Sequence, residues 1–167
     1  AVKIVGDLIT EHGWYPDRGE TMGVADGEEV WLIDIYGNKQ WAAWRVPDDE
    51  VAVVANRARL RNIDLTDKRN VMHSPDLVEY AVANGFIDQK DVNLKDFSPA
   101  DVYSPSPWVH SSRREWRGLD LLAPSQKFNP SLEYYPKSVK PDNKVSVHDV
   151  FKIMGDWMEG TPYDLSK

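Results

Sequence analysis

The sequence predicts an α+β fold with an antiparallel sheet, and two patterns support this prediction. Four short runs of strand-forming residues follow one another between residues 21 and 56, separated by turns rich in Gly, Asn, Asp and Pro. Helical patterns, with apolar residues three or four positions apart, lie before and after these runs. Strands joined by tight turns pair antiparallel, and helices segregated from such a sheet give the α+β class.

The predicted sheet is a four-stranded meander. Asp26-Gly27 and Gly37-Asn38 supply the first two turns, and Pro47-Asp48-Asp49 supplies the third. The central strands are apolar on both faces, so we expect a second sheet to cover one face and helices to cover the other. The four predicted strands are Thr21–Ala25, Glu29–Tyr36, Gln40–Val46 and Val51–Asn56.

Helix start and stop signals are present on both sides of the sheet. Ser74-Pro75 places an N-cap before a proline at the first helical position, and Ser146 with Asp149 forms a variant of the capping box. Prolines and serines predict irregular chain at 104–107 and at 124–143. The predicted helices are Val2–Ile9 (stopped at His12-Gly13), one from Ser74 to Asn84-Gly85, Phe97–Tyr103, Arg113–Leu122 with an interruption at Gly118, and Val147–Met158, stopped at Gly160.

Bulk composition narrows the function classes. A chain of 167 residues with 41% hydrophobic content fits a single domain, 1–167, and a formal net charge of -7 argues against nucleic-acid binding by bulk electrostatics. No apolar run is long enough to span a bilayer, so no membrane partner is predicted.

The chain has no cysteine, and its four histidines lack metal-ligand spacing, so neither a metal nor a cofactor is predicted. Localisation, cytoplasmic or secreted, is not decided by these numbers.

Two stretches concentrate residues capable of chemistry. In Glu50–Asp64 an apolar run stops at Asn56 and is followed by three arginines, which fits either the rim of a site or a strand end with a solvated basic loop. In Ser111–Arg117 two serines are followed by three arginines and a tryptophan within seven residues. An arginine there could hold a carboxylate or steady a charged nucleophile, or it could pair with surface acids.

Three stretches taken together resemble a known family. They are Trp41–Leu65, Ser111–Ser125 and Ser138–Asp164, with the similarity strongest at R-V-P-D-D, A-N-R, R-x-W-R and E-G-T-P-Y-D. In that order they resemble the peptidase-D-type cysteine dipeptidases, which are N-terminal-nucleophile hydrolases and relatives of the secernins. The resemblance implies a four-layer αββα sandwich, of which this chain would form part.

The resemblance also implies a mechanism and the residues that serve it. Such enzymes attack a peptide carbonyl with an N-terminal Cys whose own α-amino group acts as base, and an acyl-enzyme is then hydrolysed. Asn56 resembles an oxyanion-hole asparagine of related acylases, and Arg114 resembles an arginine beside the nucleophile that favours the thiolate. A shift of one residue in that alignment would bring in Arg113 instead. The residues assigned to substrate binding are Trp41, Arg57, Arg117 and Tyr163.

The tryptophans allow two interpretations. Trp41, Trp44, Trp116 and Trp157 could line a substrate pocket, although core filling is the expected role of Trp44 and Trp157.

The chain departs from the family in having no nucleophilic Cys, and it starts at Ala1 rather than Met. We therefore expect an interior fragment of a larger dipeptidase, with the remainder of the parent chain and a dipeptide substrate as partners. We expect no hydrolysis by these residues alone. A homo-oligomer is left open. Three alternatives are a related amidase acting on bile-salt or penicillin-like amides, a non-catalytic peptide- or glycan-binding module, and a secernin-like regulator of secretion.

Overall fold

A computed structural model of the chain describes residues 1–15, 19–105 and 109–167. These residues form one four-stranded antiparallel sheet and five α-helices, which confirms the predicted α+β class. The chain divides into two compact units, which are described separately below. Unit 1 comprises Ala1–Asp48 and Asn56–Ser106, and unit 2 comprises Asp49–Ala55 and Pro107–Lys167.

The sheet belongs to unit 1 and runs in the order β1-β2-β3-β4, each strand antiparallel to the next. Its register brings Met22 opposite Ile33, Ile33 opposite Ala43, and Ala43 opposite Met72, so one row of apolar side chains crosses all four strands. The strands are β1 (Glu20–Ala25), β2 (Val30–Ile35), β3 (Trp41–Arg45) and β4 (Val71–His73).

The first two of the three predicted turns of the meander are confirmed as hairpin turns. In the first, the Asp26 carboxylate accepts hydrogen bonds from the backbone N–H groups of Glu28 (2.8 Å) and Glu29 (3.0 Å). In the second, Asn38 and Lys39 adopt positive φ angles of 52° and 73° between β2 and β3. These turns were predictable because their geometry depends on residues within four positions of each other.

One face of the sheet is covered by α1 (Val2–His12), as the helical pattern predicts. Val2 and Ile9 pack with Trp31, Ile33 and Trp41 in the core of unit 1. The contact is close at Gly6, where an added Cβ would lie 2.1 Å from a ring carbon of Trp41. Glycine is therefore required at this point of the helix.

The predicted fourth strand is wrong. Residues 51–56 form only an isolated bridge, Val51 to Val139, and they are otherwise irregular. The fourth strand of the sheet is instead Val71–His73, which pairs with β3. An apolar run favours a strand but does not determine which strand it pairs with. Val51 forms its bridge with Val139, and both residues belong to unit 2.

Two further helices belong to unit 1: α2 (Leu77–Ala83) and α3 (Pro99–Tyr103). The residue at the N-cap of α2 is Asp76, so the prediction that Ser74 caps this helix is wrong. Ser74 is buried, and its hydroxyl donates to the Gln40 side chain at 2.7 Å. Helix α3 begins two residues later than predicted because Phe97 pairs with Ile63 in an isolated bridge.

Unit 2 is built on α4 (Val109–Leu122), which is continuous, so the predicted interruption at Gly118 is wrong. An added Cβ at Gly118 would lie 2.7 Å from Cγ1 of Val53, so this glycine allows close packing instead of breaking the helix. Trp116 and Leu119 pack with Tyr135 and Val139 in the core of this unit. A single 3₁₀ turn, Pro124–Gln126, follows α4, and the chain up to residue 146 is otherwise largely irregular, as its prolines predict.

The last helix, α5 (Val147–Met154), has the predicted capping box: the Ser146 side chain accepts from the Asp149 N–H, and the Asp149 carboxylate accepts from the Ser146 N–H. It ends at Gly155, so the extension to Gly160 is wrong. Its apolar side chains do not form a core. Phe151 is 69% exposed, Met154 81% and Trp157, beyond the helix, 55%, so the core role predicted for Trp157 is also wrong.

Part of the irregular segment predicted at 104–107, Ser106-Pro107, lies outside the described residues. Of the described helices, none is long and apolar enough to cross a bilayer.

Candidate active site

Asn56 is the first residue of the second stretch of unit 1, immediately after Ala55. Its side chain is exposed, whereas the residues that follow it are buried: Arg57 and Arg59 are each 2% exposed. The solvated basic loop considered from the sequence is therefore wrong for these two arginines. A surface asparagine is followed by chain that is enclosed by the protein.

Asp34 of β2 holds this enclosed chain. Its side chain is fully buried, and Oδ2 accepts hydrogen bonds from the backbone N–H groups of Arg59 (2.6 Å) and Leu60 (2.7 Å). Side chains alternate along a strand, so Asp34 points to the face of β2 opposite to Ile33 and Ile35, which pack with α1. In unit 1, this face of β2 therefore packs against an irregular segment. The second sheet expected from the sequence stays a prediction.

Two hydroxyl groups complete the surroundings of Asp34. Thr21 of β1 lies 2.5 Å from Oδ1 of Asp34, and the same hydroxyl lies 2.8 Å from the backbone carbonyl oxygen of Arg57. The Tyr36 hydroxyl donates to Oδ2 at 3.0 Å. Burial raises the pKa of Asp34, and the hydrogen bonds from Leu60, Thr21, Arg59 and Tyr36 act in the opposite direction. Burial, together with the nearby Asp34, also raises the pKa of Tyr36 well above its usual value.

Trp41, predicted to bind substrate, lies in the core of unit 1, where its indole N–H donates to the Thr10 hydroxyl at 2.9 Å. Arg57 also belongs to this unit.

The other three predicted site residues belong to unit 2. Arg114 lies on the exposed side of α4, and its guanidinium donates to the His110 carbonyl (3.1 Å) and to the Ser111 hydroxyl (3.3 Å) of the same helix. These bonds hold the guanidinium close to the helix surface. The neighbouring Arg113 places its guanidinium carbon 4.2 Å from the ring centre of Tyr163, a cation–π contact.

Arg117 forms a two-point ion pair with Asp156, with nitrogen–oxygen distances of 2.8 and 2.9 Å. The Arg117 guanidinium holds the pKa of Asp156 below its usual value. Tyr163 packs edge-on against Trp116, with ring centres 5.9 Å apart, and its hydroxyl donates to the Pro130 carbonyl at 2.9 Å. Arg113, Trp116 and Tyr163 thus form one packed group in unit 2.

The six predicted residues therefore fall into two sets: Trp41, Asn56 and Arg57 in unit 1, and Arg114, Arg117 and Tyr163 in unit 2. Within the part of the chain that the structure describes, no three His, Asp or Glu side chains come together as a metal-binding group.

Asp34 and Thr21 were missed from the sequence. The only signal was a lone acid within the apolar run W-L-I-D-I-Y, which was interpreted as apolar on both faces.

Comparison with known proteins places these residues in a family. The model of peptidase family C69 matches residues 1–167, the whole chain. The chain belongs to peptidase family C69. This is the peptidase-D-type family, so the resemblance inferred from the three motif stretches is confirmed.

Curated relatives of this C69 chain carry dipeptidase names. A dipeptidase of Bifidobacterium longum is 28% identical over 98% of the chain, and a probable dipeptidase of Salmonella dublin is 30% identical over 97%. A probable dipeptidase of Latilactobacillus sakei is 29% identical over 98%. The chain spans about a third of the length of these relatives: 33%, 37% and 34%, respectively.

Proposed function

We propose that this chain is part of a cysteine-type dipeptidase, in which it supplies the oxyanion donor and the positively charged residues of the active site. The main support is its match to relatives named as dipeptidases over nearly all of its length. The chain itself has no cysteine, so in this proposal the attacking thiolate comes from the remainder of the protein. The substrate is a dipeptide.

In this mechanism the thiolate attacks the peptide carbonyl carbon, and the carbonyl oxygen becomes an oxyanion. The Asn56 carboxamide donates an N–H to that oxygen. A preorganised donor of this kind lowers the barrier by about 2.7–4 kcal/mol. Asn56 fits the role because it is exposed while Arg57, the next residue, is buried, so the asparagine is attached to an enclosed segment.

Arg114 supplies positive charge. Its guanidinium is exposed and is held by two hydrogen bonds to its own helix, which limits the side-chain entropy lost when it meets an anion. A guanidinium beside the sulfur favours the thiolate over the thiol.

The experiment replaces Asn56 in the full-length enzyme that contains this chain. Asn56→Ala is expected to lower kcat for dipeptide hydrolysis by about 10²–10³. The matched control is Asn84→Ala, which removes another exposed asparagine side chain of unit 1, at the end of α2. Wild-type turnover by Asn56→Ala would exclude Asn56 from the mechanism.

A substrate panel tests the reaction class. Dipeptides are expected to be hydrolysed, and penicillin V and a glycine-conjugated bile salt are expected to be poor substrates. Preferential cleavage of either of the latter two would assign the protein to the amidase alternative.

A further inference from the structure

Asp34 joins three segments of unit 1 at one buried point. Its carboxyl group contacts Thr21 of β1, Tyr36 at the end of β2, and the backbone of Arg59 and Leu60. A carboxyl group that loses all contact with water incurs a large desolvation cost unless such bonds offset it. Four hydrogen-bond contacts to one fully buried side chain indicate that the group fixes local geometry.

The segment that it fixes begins one residue after Asn56. Oδ2 binds two consecutive backbone N–H groups, those of Arg59 and Leu60, and so restrains the orientation of both peptide planes. The Thr21 hydroxyl, itself in contact with Asp34, reaches the Arg57 carbonyl oxygen at 2.8 Å. Backbone polar groups of residues 57, 59 and 60 are therefore held by one side-chain network.

The Thr21 hydroxyl takes part in two contacts of this network. The Thr21 hydroxyl has a single proton, yet it lies near two oxygens, Oδ1 of Asp34 and the Arg57 carbonyl. Both contacts are full hydrogen bonds if Oδ1 carries a proton and donates to Thr21, which then donates to Arg57. A carboxamide at residue 34 would make the same bonds, with its NH₂ group toward Thr21 and its oxygen toward Arg59 and Leu60.

We propose that Asp34 is a positioning residue for Asn56, acting through the backbone of residues 57–60, and that it acts by hydrogen bonding rather than by negative charge. This inference rests on the proposed function, because it gives Asn56 the oxyanion role. Loss of the network lets the Asn56 carboxamide move away from its productive orientation. A displacement of about 1 Å at a reacting group can cost about 10²-fold in rate.

The test is a set of variants of the full-length dipeptidase, assayed for kcat and KM with a dipeptide. Asp34→Ala is expected to lower kcat by about 10- to 100-fold with KM changed less than about twofold. Asp34→Asn is expected to stay within about threefold of wild type, because the carboxamide reproduces the hydrogen bonds. Loss of activity by Asp34→Asn as large as that by Asp34→Ala would overturn the charge-independent role.

A double-mutant cycle separates positioning from general stability. In the Asn56→Ala background, Asp34→Ala is expected to lower kcat by less than about twofold, because the group that Asp34 positions is already gone. The same factor in both backgrounds would overturn the proposal. Ser74→Ala is the matched control: it removes another buried hydrogen bond of unit 1 and should leave kcat unchanged.

Thr21 keeps the proposal testable if Asp34→Ala does not fold. Thr21→Val conserves shape and removes the link to the Arg57 carbonyl, so kcat should fall, and Thr21→Ser should restore it. Wild-type kcat in Thr21→Val and in any folded Asp34→Ala would overturn the inference.

If Asn56→Ala itself retains full activity, the proposed function fails as well. If only the Asp34 and Thr21 variants retain activity, the function stands and the positioning role fails.

Discussion

Arg117 and Asp156 form a well-shielded ion pair in unit 2. Their side chains are 17% and 16% exposed, and the guanidinium binds both carboxylate oxygens. Two-point contact and partial burial make such a pair stronger than an ordinary surface pair. Substrate binding by Arg117 stays a prediction. It requires the guanidinium to contact the substrate while it is paired with Asp156.

Arg117→Met is expected to destabilise the protein by about 2 kcal/mol at pH 7, because the Asp156 carboxylate loses its charged partner. The pKa of Asp156 is lowered in the folded state, so the stabilisation is complete above its unfolded pKa, about 3.9. It is lost as pH falls through the lower folded pKa. The difference between wild type and variant should therefore shrink below about pH 4, as measured by urea unfolding.

The matched control is Lys140→Met, which breaks the ion pair with Asp49. Those side chains are 73% and 66% exposed, so little or no loss of stability is expected. A difference between wild type and Arg117→Met that is the same at pH 3 as at pH 7 would contradict the assignment of the stabilisation to this pair.

At this scale the sequence predicts a catalytic role for Asn56 and none for Asp34. A role for Asn56 could be predicted because motifs on either side of it in the sequence resemble those of a family. The role of Asp34 could not, because it depends on residues 59 and 60, whose approach to β2 has no local sequence signal. A single acidic residue in an apolar strand fits three roles: a residue at the edge of a sheet, a residue that binds a ligand, or a buried residue that holds neighbouring backbone.

The packing of α4 depends on a close contact between Gly118 and Val53. Gly118→Ala adds a methyl group that would lie 2.7 Å from Cγ1 and 2.9 Å from Cγ2 of Val53. Overpacking of this kind costs about 1–3 kcal/mol, whereas the gain in helix propensity is about 1 kcal/mol. We expect a net loss of stability, measured by thermal unfolding.

A second substitution tests whether contact with Val53 causes the loss of stability. In the Val53→Ala background, Gly118→Ala should be neutral or stabilising by up to about 1 kcal/mol, because the clash is removed and the propensity gain is left. Gly23→Ala is the control for adding a methyl group, since nothing lies within 4 Å of its added Cβ. A loss of stability that is equal with and without Val53 would contradict this explanation.

Elements governed by nearby residues were predictable, and elements governed by distant partners were not. The capping box of α5 and the two hairpin turns involve residues a few positions apart, and they are confirmed. The apolar run at Val51 has the composition of a strand, but its bridge partner is Val139. The three-residue β4 carries too little pattern to be recognised without β3 beside it.

At the scale of the whole molecule, the chain is expected to hydrolyse no dipeptide by itself. The proposed chemistry needs a thiolate, and none of the 167 residues is a cysteine. The measurement compares the purified chain with a full-length C69 enzyme that contains it, using the same dipeptide. Turnover by the chain alone, retained after Asn56→Ala, would refute both the nucleophile requirement and the assigned oxyanion donor.

The family was predictable because the motif stretches span both units. The α+β class was predictable because strand runs and helical patterns occupy separate parts of the sequence. The exposure of the apolar side chains of α5 was not predictable, since an amphipathic pattern predicts an apolar face but not what covers it. The four-layer arrangement implied by the resemblance stays a prediction.

The Asp34 network also predicts which positions tolerate substitution. Its donors at residues 59 and 60 are backbone N–H groups, which every amino acid except proline carries. This interaction therefore places no demand on the side chains there. The acceptor comes from a single fully buried side chain, where glutamate adds a methylene that has no space. In a saturation library, position 34 should accept asparagine and little else, and proline at position 59 or 60 should remove one of the two backbone donors.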